Sequence, residues 1–244
     1  MLAPDADGLH LTDAGYTVAG KVILSGITLH LTEPRIGIIG RNGSGKTTLL
    51  RLIAGLVAPT AGAVRVAGID PFVDRRAMLT RLGILFQNPD HQILFPTVGE
   101  ELAFGLRQLG HTARQADTAA AQLLAAESRS HWAQAATHTL SQGQRHYLCL
   151  LAVLLMGPQV LLLDEPFAGL DLPTQARLAR RLVGLSQQII TISNDPATVA
   201  SCDRVIWLDD GRVQGDGAAG TVLASFGAAM QQLGDVDADT DIAR

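Results

Sequence analysis

With 244 residues, the chain is long enough for one large domain or for a core with a smaller insert. Hydrophobic residues make up 47% of it and charged residues 17%, which provides material for a buried core and excludes a disordered chain. The formal net charge of -4 excludes a general electrostatic attraction to nucleic acid or to an anionic membrane surface.

The cysteines and the apolar segments favour a cytoplasmic protein that does not itself cross a membrane. Cys149 and Cys202 are too few for a disulfide framework or a cysteine-rich zinc site. The longest apolar run, residues 147–157, is shorter than the roughly 18 residues that a spanning helix needs, so it predicts a core helix. The first residues are acidic and polar, and we therefore expect no secretory signal.

The first third of the chain predicts strands around one loop and one helix. Two short apolar segments in residues 9–31 are interrupted by glycines and predict antiparallel strands joined by tight turns. Residues 35–40, RIGIIG, are typical of a buried strand and lead into a glycine-rich loop, after which leucines and an isoleucine recur at helical spacing. Residues 62–68 and 81–87 predict two further strands.

The rest of the chain predicts a helical insert followed by a return to strands. Between residues 91 and 156 the composition shifts to alanine, leucine and glutamine with few β-branched residues, which predicts helices. Residues 160–166, VLLLDEP, restore the pattern of a buried strand. Pro173 begins an amphipathic helical pattern, and residues 188–193 and 204–213 predict late strands.

Residues 40–47, GRNGSGKT, fit the phosphate-loop pattern G-x-x-x-x-G-K-[ST] between a predicted strand and a predicted helix. Gly43 and Gly45 would let successive backbone N–H groups turn inward around a phosphate at a helix N-terminus. Lys46, one of only two lysines in the chain, would reach the β- and γ-phosphates of a nucleotide, and the Thr47 hydroxyl would bind Mg²⁺. A glycine-rich turn that merely starts a helix is the weaker interpretation in this context.

Asp164 and Glu165 follow four aliphatic residues, at the end of a predicted strand where open α/β sheets bind their ligands. On their own, two acidic residues after a strand are typical of a solvated turn. A phosphate loop in the same chain favours catalysis instead. Asp164 would then hold Mg²⁺ through water, and Glu165 would orient and polarise the attacking water as a general base.

Residues 140–144, LSQGQ, lie shortly before this acidic pair and match the signature motif of the ATP-binding cassette (ABC) family. From about residue 9 to about residue 225 the chain resembles that family. The resemblance implies an α/β fold with a P-loop NTPase core of the RecA-like type, an antiparallel β subdomain and an inserted α-helical subdomain. It implies one ABC ATPase domain in residues 1–230, divided into the core with the β subdomain (1–90 and 158–230) and the helical subdomain with the signature motif (91–157), and then an acidic tail (231–244).

The resemblance also implies roles for residues outside the phosphate loop. It places Tyr16 where an aromatic ring stacks on adenine, Gln87 in the loop that couples nucleotide to a membrane partner, and Asp171 in the loop that crosses the dimer interface. The predicted catalytic residues are Glu165, Gln87 and Asn194, and the predicted Mg²⁺ ligands are Thr47, Gln87 and Asp164. The predicted nucleotide-binding residues are Tyr16, Gly40, Asn42, Gly43, Ser44, Gly45, Lys46, Thr47, Thr48, Ser141, Gly143, Gln144 and Asp171.

The signature motif predicts a second anion site. Ser141 and the N–H groups around Gly143 would lie at the start of a helix, although in a chain without a phosphate loop the same turn would simply cap that helix. In the family, this site faces the γ-phosphate held by the phosphate loop of the other subunit. The resemblance therefore implies that two chains sandwich two ATP molecules, and that one chain has only half of each active site.

One position departs from the family pattern. The switch histidine of the family normally follows the strand after the acidic pair, within T-H-D, and the corresponding residues here are Ser193, Asn194 and Asp195. Asparagine can donate an amide hydrogen bond, but it has a shorter reach and cannot carry a proton. We therefore expect weaker hydrolysis and largely unchanged ATP binding. An alignment error or an engineered substitution are the alternatives, but no histidine follows His146 in any register.

Residues 86–110 resemble a segment of the energy-coupling-factor importers and of their cobalt and nickel relatives, which typically reads FQNPD-x-Q and then T-V-x-E-D-V-A-F-G. Those systems take up vitamins or metal ions, and in them two ATPase subunits bind a transmembrane coupling protein. The resemblance implies a groove for the cytoplasmic helices of that partner, shaped by Asn88, Pro89, Asp90 and Gln92.

We predict that the chain is the ATP-binding, ATP-hydrolysing subunit of such an importer, with biotin, another vitamin, cobalt or nickel as cargo. Its expected partners are a second ABC ATPase subunit, the same or a related chain, a transmembrane coupling protein and a substrate-binding membrane subunit, at the cytoplasmic face of the membrane. One alternative is a soluble ABC ATPase acting on ribosomes or DNA, which the single cassette and the lack of a basic patch disfavour. A nucleotide-binding regulatory subunit that hydrolyses weakly is the other alternative, and Asn194 supports it.

Overall fold

The computed structural model describes residues 8–235, whose strands form two sheets flanked by helices. The strands are β1 (Leu9–Val18), β2 (Lys21–Leu31), β3 (Arg35–Ile39), β4 (Ala61–Val66), β5 (Leu82–Leu85), β6 (Val160–Asp164), β7 (Gln188–Ser193), β8 (Arg204–Asp209) and β9 (Arg212–Gly217). The helices are α1 (Lys46–Ile53), α2 (Arg75–Met78), α3 (Val98–Gln108), α4 (Ala113–Ala126), α5 (Gln142–Leu155), α6 (Leu172–Val183), α7 (Pro196–Val199) and α8 (Ala219–Asp235).

The smaller sheet is antiparallel and has the order β2-β1-β4. Val18 pairs with Lys21 across a two-residue turn, Ala19-Gly20, whose φ angles of 48° and 78° are both positive. Positive φ at both central residues is the geometry of the type I′ turn that suits the twist of a hairpin. The antiparallel pair predicted in residues 9–31 is confirmed.

The larger sheet has the order β5-β6-β7-β3-β8-β9, with β9 antiparallel to β8 and the other neighbouring strands parallel. β3 and β6 are buried almost throughout, as expected for strands covered on both faces. In register, Ile39 of β3 lies opposite Ser193 of β7, and Asp164 of β6 lies opposite Ile192 of β7. The carboxyl ends of these three strands therefore meet at one edge of the sheet.

α3, α4 and α5 pack against one another and lie within residues 91–157, for which the sequence predicts a helical subdomain. Each of the three begins at a side-chain cap, which is Thr97, Thr112 and Ser141 respectively. Beyond its first turn α5 is buried on most sides and runs against β5 of the large sheet. An apolar surface on every side is what a helix needs to cross a protein core. The subdomain boundaries themselves stay a prediction.

The end of the described chain differs in two respects from the sequence expectations. Residues 204–213 form a hairpin of β8 and β9, because Asp210 and Gly211 turn the chain with φ angles of 46° and 69°. After it comes α8, which the sequence did not predict, and which passes residue 231, the expected start of the acidic tail. Residues 236–244 lie outside the described residues. Between residues 8 and 235, no helix is long and apolar enough to cross a membrane.

Gly37 in the middle of β3 provides a test of this packing. A Cβ there would lie 2.6 Å from Val199 Cβ in α7, so Gly37→Ala should lower the free energy of unfolding by about 1–3 kcal/mol through overpacking. Gly227→Ala in α8 is the control, because a Cβ there meets no atom within 4 Å. Alanine should instead stabilise that helix by up to about 1 kcal/mol. Urea unfolding followed by circular dichroism measures both changes. Equal urea midpoints for Gly37→Ala and the parent would contradict the close packing of β3 on α7.

Candidate functional site

The loop between β3 and α1 has the backbone geometry of an anion cradle. Gly43 and Gly45 adopt φ angles of 82° and 103°, which residues with a Cβ rarely adopt. Gly45 precedes α1 without a side-chain cap, and the first turn of α1 contains no acidic residue. A Cβ at Gly40 would collide with the Leu208 carbonyl oxygen, so the loop also needs glycine where it leaves the strand. The N–H groups at the start of α1 are therefore available to an anion.

Lys46 is the first residue of α1, and its side chain is buried within the loop. It is 7% exposed, and its Nζ donates hydrogen bonds to the carbonyl oxygens of Gly40 at 2.7 Å and Arg41 at 2.9 Å. Burial lowers the pKa of Lys46, while the carboxylates of Glu165 and Asp164 oppose that shift. The ammonium is thus held within the loop, near the carboxylates of Asp164 and Glu165.

Ser44 supplies a further group for an anion. Its Oγ is buried and has no hydrogen-bond partner among the described residues. A buried hydroxyl without a hydrogen-bond partner destabilises the fold, and a ligand that accepts a hydrogen bond from it removes that cost. Together with the uncapped N–H groups at the start of α1, this hydroxyl fits a phosphate bound by the loop.

The acidic pair lies at the carboxyl end of β6. Asp164 is its last residue and is 7% exposed. Burial, together with the neighbouring Glu165 carboxylate, raises the pKa of Asp164 against the opposing charges of Lys46 and Arg51. Glu165 adopts a φ of 47°, which turns the chain sharply after the strand, and its N–H donates to the Ile192 carbonyl oxygen at 2.9 Å.

The segment after β7 meets Glu165 directly. Ser193 Oγ donates to Glu165 Oε2 at 3.1 Å, and the Asn194 N–H donates to Glu165 Oε1 at 2.9 Å. The predicted switch position therefore lies beside the predicted general base, as the register of the parallel strands requires. Asn194 is exposed, so its side chain is free to face the cleft.

These parts line one open cleft of about 490 Å³. Its lining residues are Lys21, Ile23, Asn42, Gly43, Gly45, Lys46, Thr47, Thr48, Gln87, Asp164, Glu165 and Asn194. Lys21 and Ile23 were not predicted as site residues. The scarcity of lysine was a signal for Lys21, because both lysines of the chain line this cleft. The predicted phosphate, Mg²⁺ and catalytic groups are thus brought together, while their individual roles stay predictions.

A larger groove of about 770 Å³ runs between α6 and the α7 region. Its lining includes apolar side chains of α6, such as Leu172, Leu182 and Val183, together with residues of β7 and of the α7 region. We place the functional site in the smaller cleft, because that cleft has the buried lysine, the acidic pair and the free N–H groups.

Tyr16 does not line the cleft. It lies in β1 opposite Leu24 of β2, is half-buried, and packs against the hydrophobic cluster between the two sheets. Its predicted stacking on adenine stays a prediction.

Ser141, Gly143 and Gln144 lie at the start of α5, outside the cleft of their own chain. Ser141 Oγ accepts the Gln144 N–H at 3.3 Å, and Gln144 Oε1 accepts the Ser141 N–H at 2.8 Å, which is a reciprocal capping box. Asp171 caps α6 without a reciprocal bond, since its Oδ1 accepts the Thr174 N–H at 3.1 Å. Hydrogen bonds from Thr174 hold the pKa of Asp171 below its usual range.

The residues predicted to shape a partner groove are largely committed to bonds within the chain. Asn88 Oδ1 accepts the Asp90 N–H, and Pro89 is buried in the short turn that follows. Gln92 Nε2 donates to the Ile84 carbonyl oxygen, and its Oε1 accepts the Phe86 N–H. Asp90 forms an ion pair with Arg145 of α5 at 2.9 Å. These bonds connect the loop containing Gln87 to the base of the signature helix.

Comparison with known proteins identifies the family. The family described as "ABC transporter" matches residues 24–168. The chain belongs to this family. It is 49% identical to the biotin transport ATP-binding protein BioM of Rhodobacter capsulatus, over 88% of this chain and 92% of that protein. It is 37% identical to BioM of Rhizobium etli, over 89% of this chain and 97% of that protein.

A solved structure agrees with this assignment. The fold matches cbiO1 from Clostridium perfringens, part of the ABC transporter complex cbiONQ, with a TM-score of 0.76 and 28% identity over 92% of this chain and 94% of that chain. The predicted α/β fold with a P-loop NTPase core is therefore confirmed, and so is the resemblance stated from the motifs. The chain is an ABC ATPase that binds and hydrolyses ATP.

Lys46 provides the direct test of the phosphate loop. Lys46→Ala should weaken ATP binding at least tenfold, because a charge-assisted bond to the β/γ-phosphates is lost, and tenfold corresponds to about 1.4 kcal/mol. Arg114→Ala is the matched control, because it removes one positive charge from an exposed position of α4 outside the cleft. Calorimetric titration with Mg-ATP measures both variants. An affinity within about threefold of the parent for Lys46→Ala would refute this position for the phosphates.

Proposed function

We propose that the chain is the ATPase subunit of a biotin importer of the energy-coupling-factor type. The observation that supports ATP-driven work is the cleft in which Lys46, Asp164 and Glu165 meet. The observation that favours biotin is the 49% identity to a biotin transport ATP-binding protein over 88% of this chain. Cobalt or nickel is the second candidate cargo, because residues 86–110 also resemble the cobalt and nickel relatives of these importers.

In this proposal the residues of the chain have distinct tasks in hydrolysis. The N–H groups after Gly43 and the Lys46 ammonium bind and neutralise the phosphates. Glu165 accepts the proton of the attacking water, and Asn194 donates a hydrogen bond toward the γ-phosphate. Thr47, Gln87 and Asp164 present the hard oxygen donors that suit Mg²⁺. When bound, Mg²⁺ would neutralise charge on the phosphate oxygens.

A second ATPase subunit completes the site. Ser141, Gly143, Gln144 and Asp171 are assigned to nucleotide binding, yet they lie at the starts of α5 and α6, outside the cleft of their own chain. They can reach a nucleotide only if it is held by another chain. We therefore propose that ATP binding closes two cassettes face to face, with each signature motif against the nucleotide of the other.

The remaining partners follow from the proposed system. A transmembrane coupling protein and a substrate-binding membrane subunit would hold the pair of cassettes at the cytoplasmic face of the membrane. Motion would pass from the cleft through Gln87 and the adjoining loop, which the ion pair between Asp90 and Arg145 connects to α5. No observation favours a soluble ABC ATPase acting on nucleic acid. Asn194 still favours a weakly hydrolysing regulatory subunit as the second candidate function.

Uptake in cells tests the cargo. Deletion of the gene should abolish high-affinity uptake of labelled biotin, and the parent gene should restore it. The Glu165→Gln variant should bind ATP but not restore uptake, because it lacks the base for turnover. Uptake of cobalt and nickel is measured in the same strains, and a defect in metal uptake with normal biotin uptake would assign the system to metals.

Asn194 tests the proposed weakness in hydrolysis. Asn194→His should raise the ATPase rate of the assembled complex about tenfold, less than a full general-base contribution because Glu165 is intact. The readout is steady-state phosphate release at saturating Mg-ATP.

The subunit composition sets the size of this gain. Asn194 lies beside Glu165 of its own chain, so a complex with two copies would have two weakened sites. A mixed complex would have one weakened site and should show a small gain. If a complex confirmed to contain two copies shows no gain in ATPase rate, the proposal of weakened hydrolysis is refuted.

A further inference from the structure

The carboxylate of Glu165 is held on both oxygens by the end of β7. Ser193 Oγ donates to Oε2 at 3.1 Å, and the Asn194 N–H donates to Oε1 at 2.9 Å. The terminal torsion of a glutamate side chain is soft, so a free carboxylate would adopt many orientations. One donor on each oxygen restricts that torsion and the direction in which the remaining lone pairs point.

The hydroxyl of Ser193 is itself oriented. Its oxygen accepts the Asp195 N–H at 3.0 Å, and an ionised carboxylate has no proton to give, so the hydroxyl proton lies toward Glu165. Ser193 is 1% exposed, so bulk water does not compete for this bond. The hydrogen bond to Glu165 is therefore formed by a buried hydroxyl whose proton can point in only one direction.

The backbone around this bond is fixed by the sheet. Ser193 ends β7 and lies opposite Ile39, directly before the phosphate loop. The Glu165 N–H donates to the Ile192 carbonyl oxygen, one residue before Ser193. Glu165 is thus joined to the same strand end by its backbone and by its side chain, and the strand end is in register with the loop that binds the phosphates.

Residue 194 contributes to this arrangement only through its backbone N–H. Any residue with an N–H could do the same, so the exchange of histidine for asparagine leaves the support of Glu165 unchanged. Among the described residues, Ser193 is the one whose side chain donates to the Glu165 carboxylate. We infer that Ser193 is a positioning residue, whose hydroxyl holds Glu165 in the orientation that accepts the proton of water. The inference rests on the proposed role of Glu165 as the base.

Turnover of the assembled complex tests the inference. Ser193→Ala should lower kcat about tenfold and leave KM for ATP within about twofold, because a misoriented base affects the chemical step and not the binding of phosphates. Ser193→Thr keeps the hydroxyl and suits a strand, so its kcat should lie within about threefold of the parent. A Ser193→Ala complex with the parent kcat, or a Ser193→Thr complex as slow as Ser193→Ala, would overturn the inference.

A matched control and a double variant separate positioning from general damage. Thr191→Val changes a buried hydroxyl residue two positions earlier in β7, which makes no bond to Glu165, and should leave kcat unchanged within about twofold. In the Glu165→Gln background, Ser193→Ala should change the residual rate by less than about twofold, since there is no base left to orient. A tenfold further loss in that background would mean that Ser193 acts independently of Glu165 and would refute its positioning role.

Two further results keep the outcomes distinct. If Ser193→Ala does not fold, Ser193→Cys retains a side chain of similar size with only a weak donor, and a parent kcat in that variant overturns the inference. If Glu165→Gln alone retains the parent kcat, the assignment of the base fails and this inference with it. If Glu165→Gln stops turnover while Ser193→Ala does not slow it, only the positioning role fails.

Discussion

The parallel pairing of β6, β7 and β3 is the constraint on which the site depends. Backbone hydrogen bonds fix the register of these strands, so that Asp164 lies opposite Ile192 and Ser193 lies opposite Ile39. Backbone pairing thereby brings three short segments that are far apart in sequence to one edge of the sheet. Displacing one strand by a residue would move each of its side chains to the opposite face of the sheet, so the packing of the aliphatic residues on both faces protects the alignment of the polar strand ends.

The polar groups at the starts of α5 and α6 have one task in the isolated chain and a second task in the proposed pair of cassettes. Ser141 and Asp171 each satisfy a backbone N–H of their own helix, which stabilises the isolated chain. The first N–H groups of a helix point outward and attract anions even when a side chain caps one of them. In the proposed sandwich, a cassette would therefore be stable alone and still offer half of a site to a second cassette, so its association would depend on the nucleotide between them.

Local chemistry decided what the sequence could predict. The phosphate loop was recognisable because the positive φ angles at Gly43 and Gly45 demand glycine. The start of α5 was recognisable because both residues of its capping box, Ser141 and Gln144, lie within one short segment. Ile23 was not recognisable and Lys21 was marked only by the scarcity of lysine, because both reach the cleft through the packing of the β1–β2 hairpin on the loop at Gly45. α8 was missed because its alanine-rich pattern lacks a strong start signal, and it is stabilised by packing of its own Val222 and Phe226 against β8. The bond between Ser193 and Glu165 depends on the turn at Glu165, which no local pattern announces.

Lys46 has a further consequence for the working cycle. Its ammonium donates to two carbonyl oxygens of the loop that surrounds it. A polyphosphate that enters must compete with these acceptors, so the net gain in free energy on binding is smaller than the attraction between the charges alone. When the products leave, the same carbonyl groups can take the ammonium back, and no unpaired charge is left buried. With nucleotide in the proposed position, the loop would thus limit the affinity for spent nucleotide, which favours its release in an ATPase that must turn over.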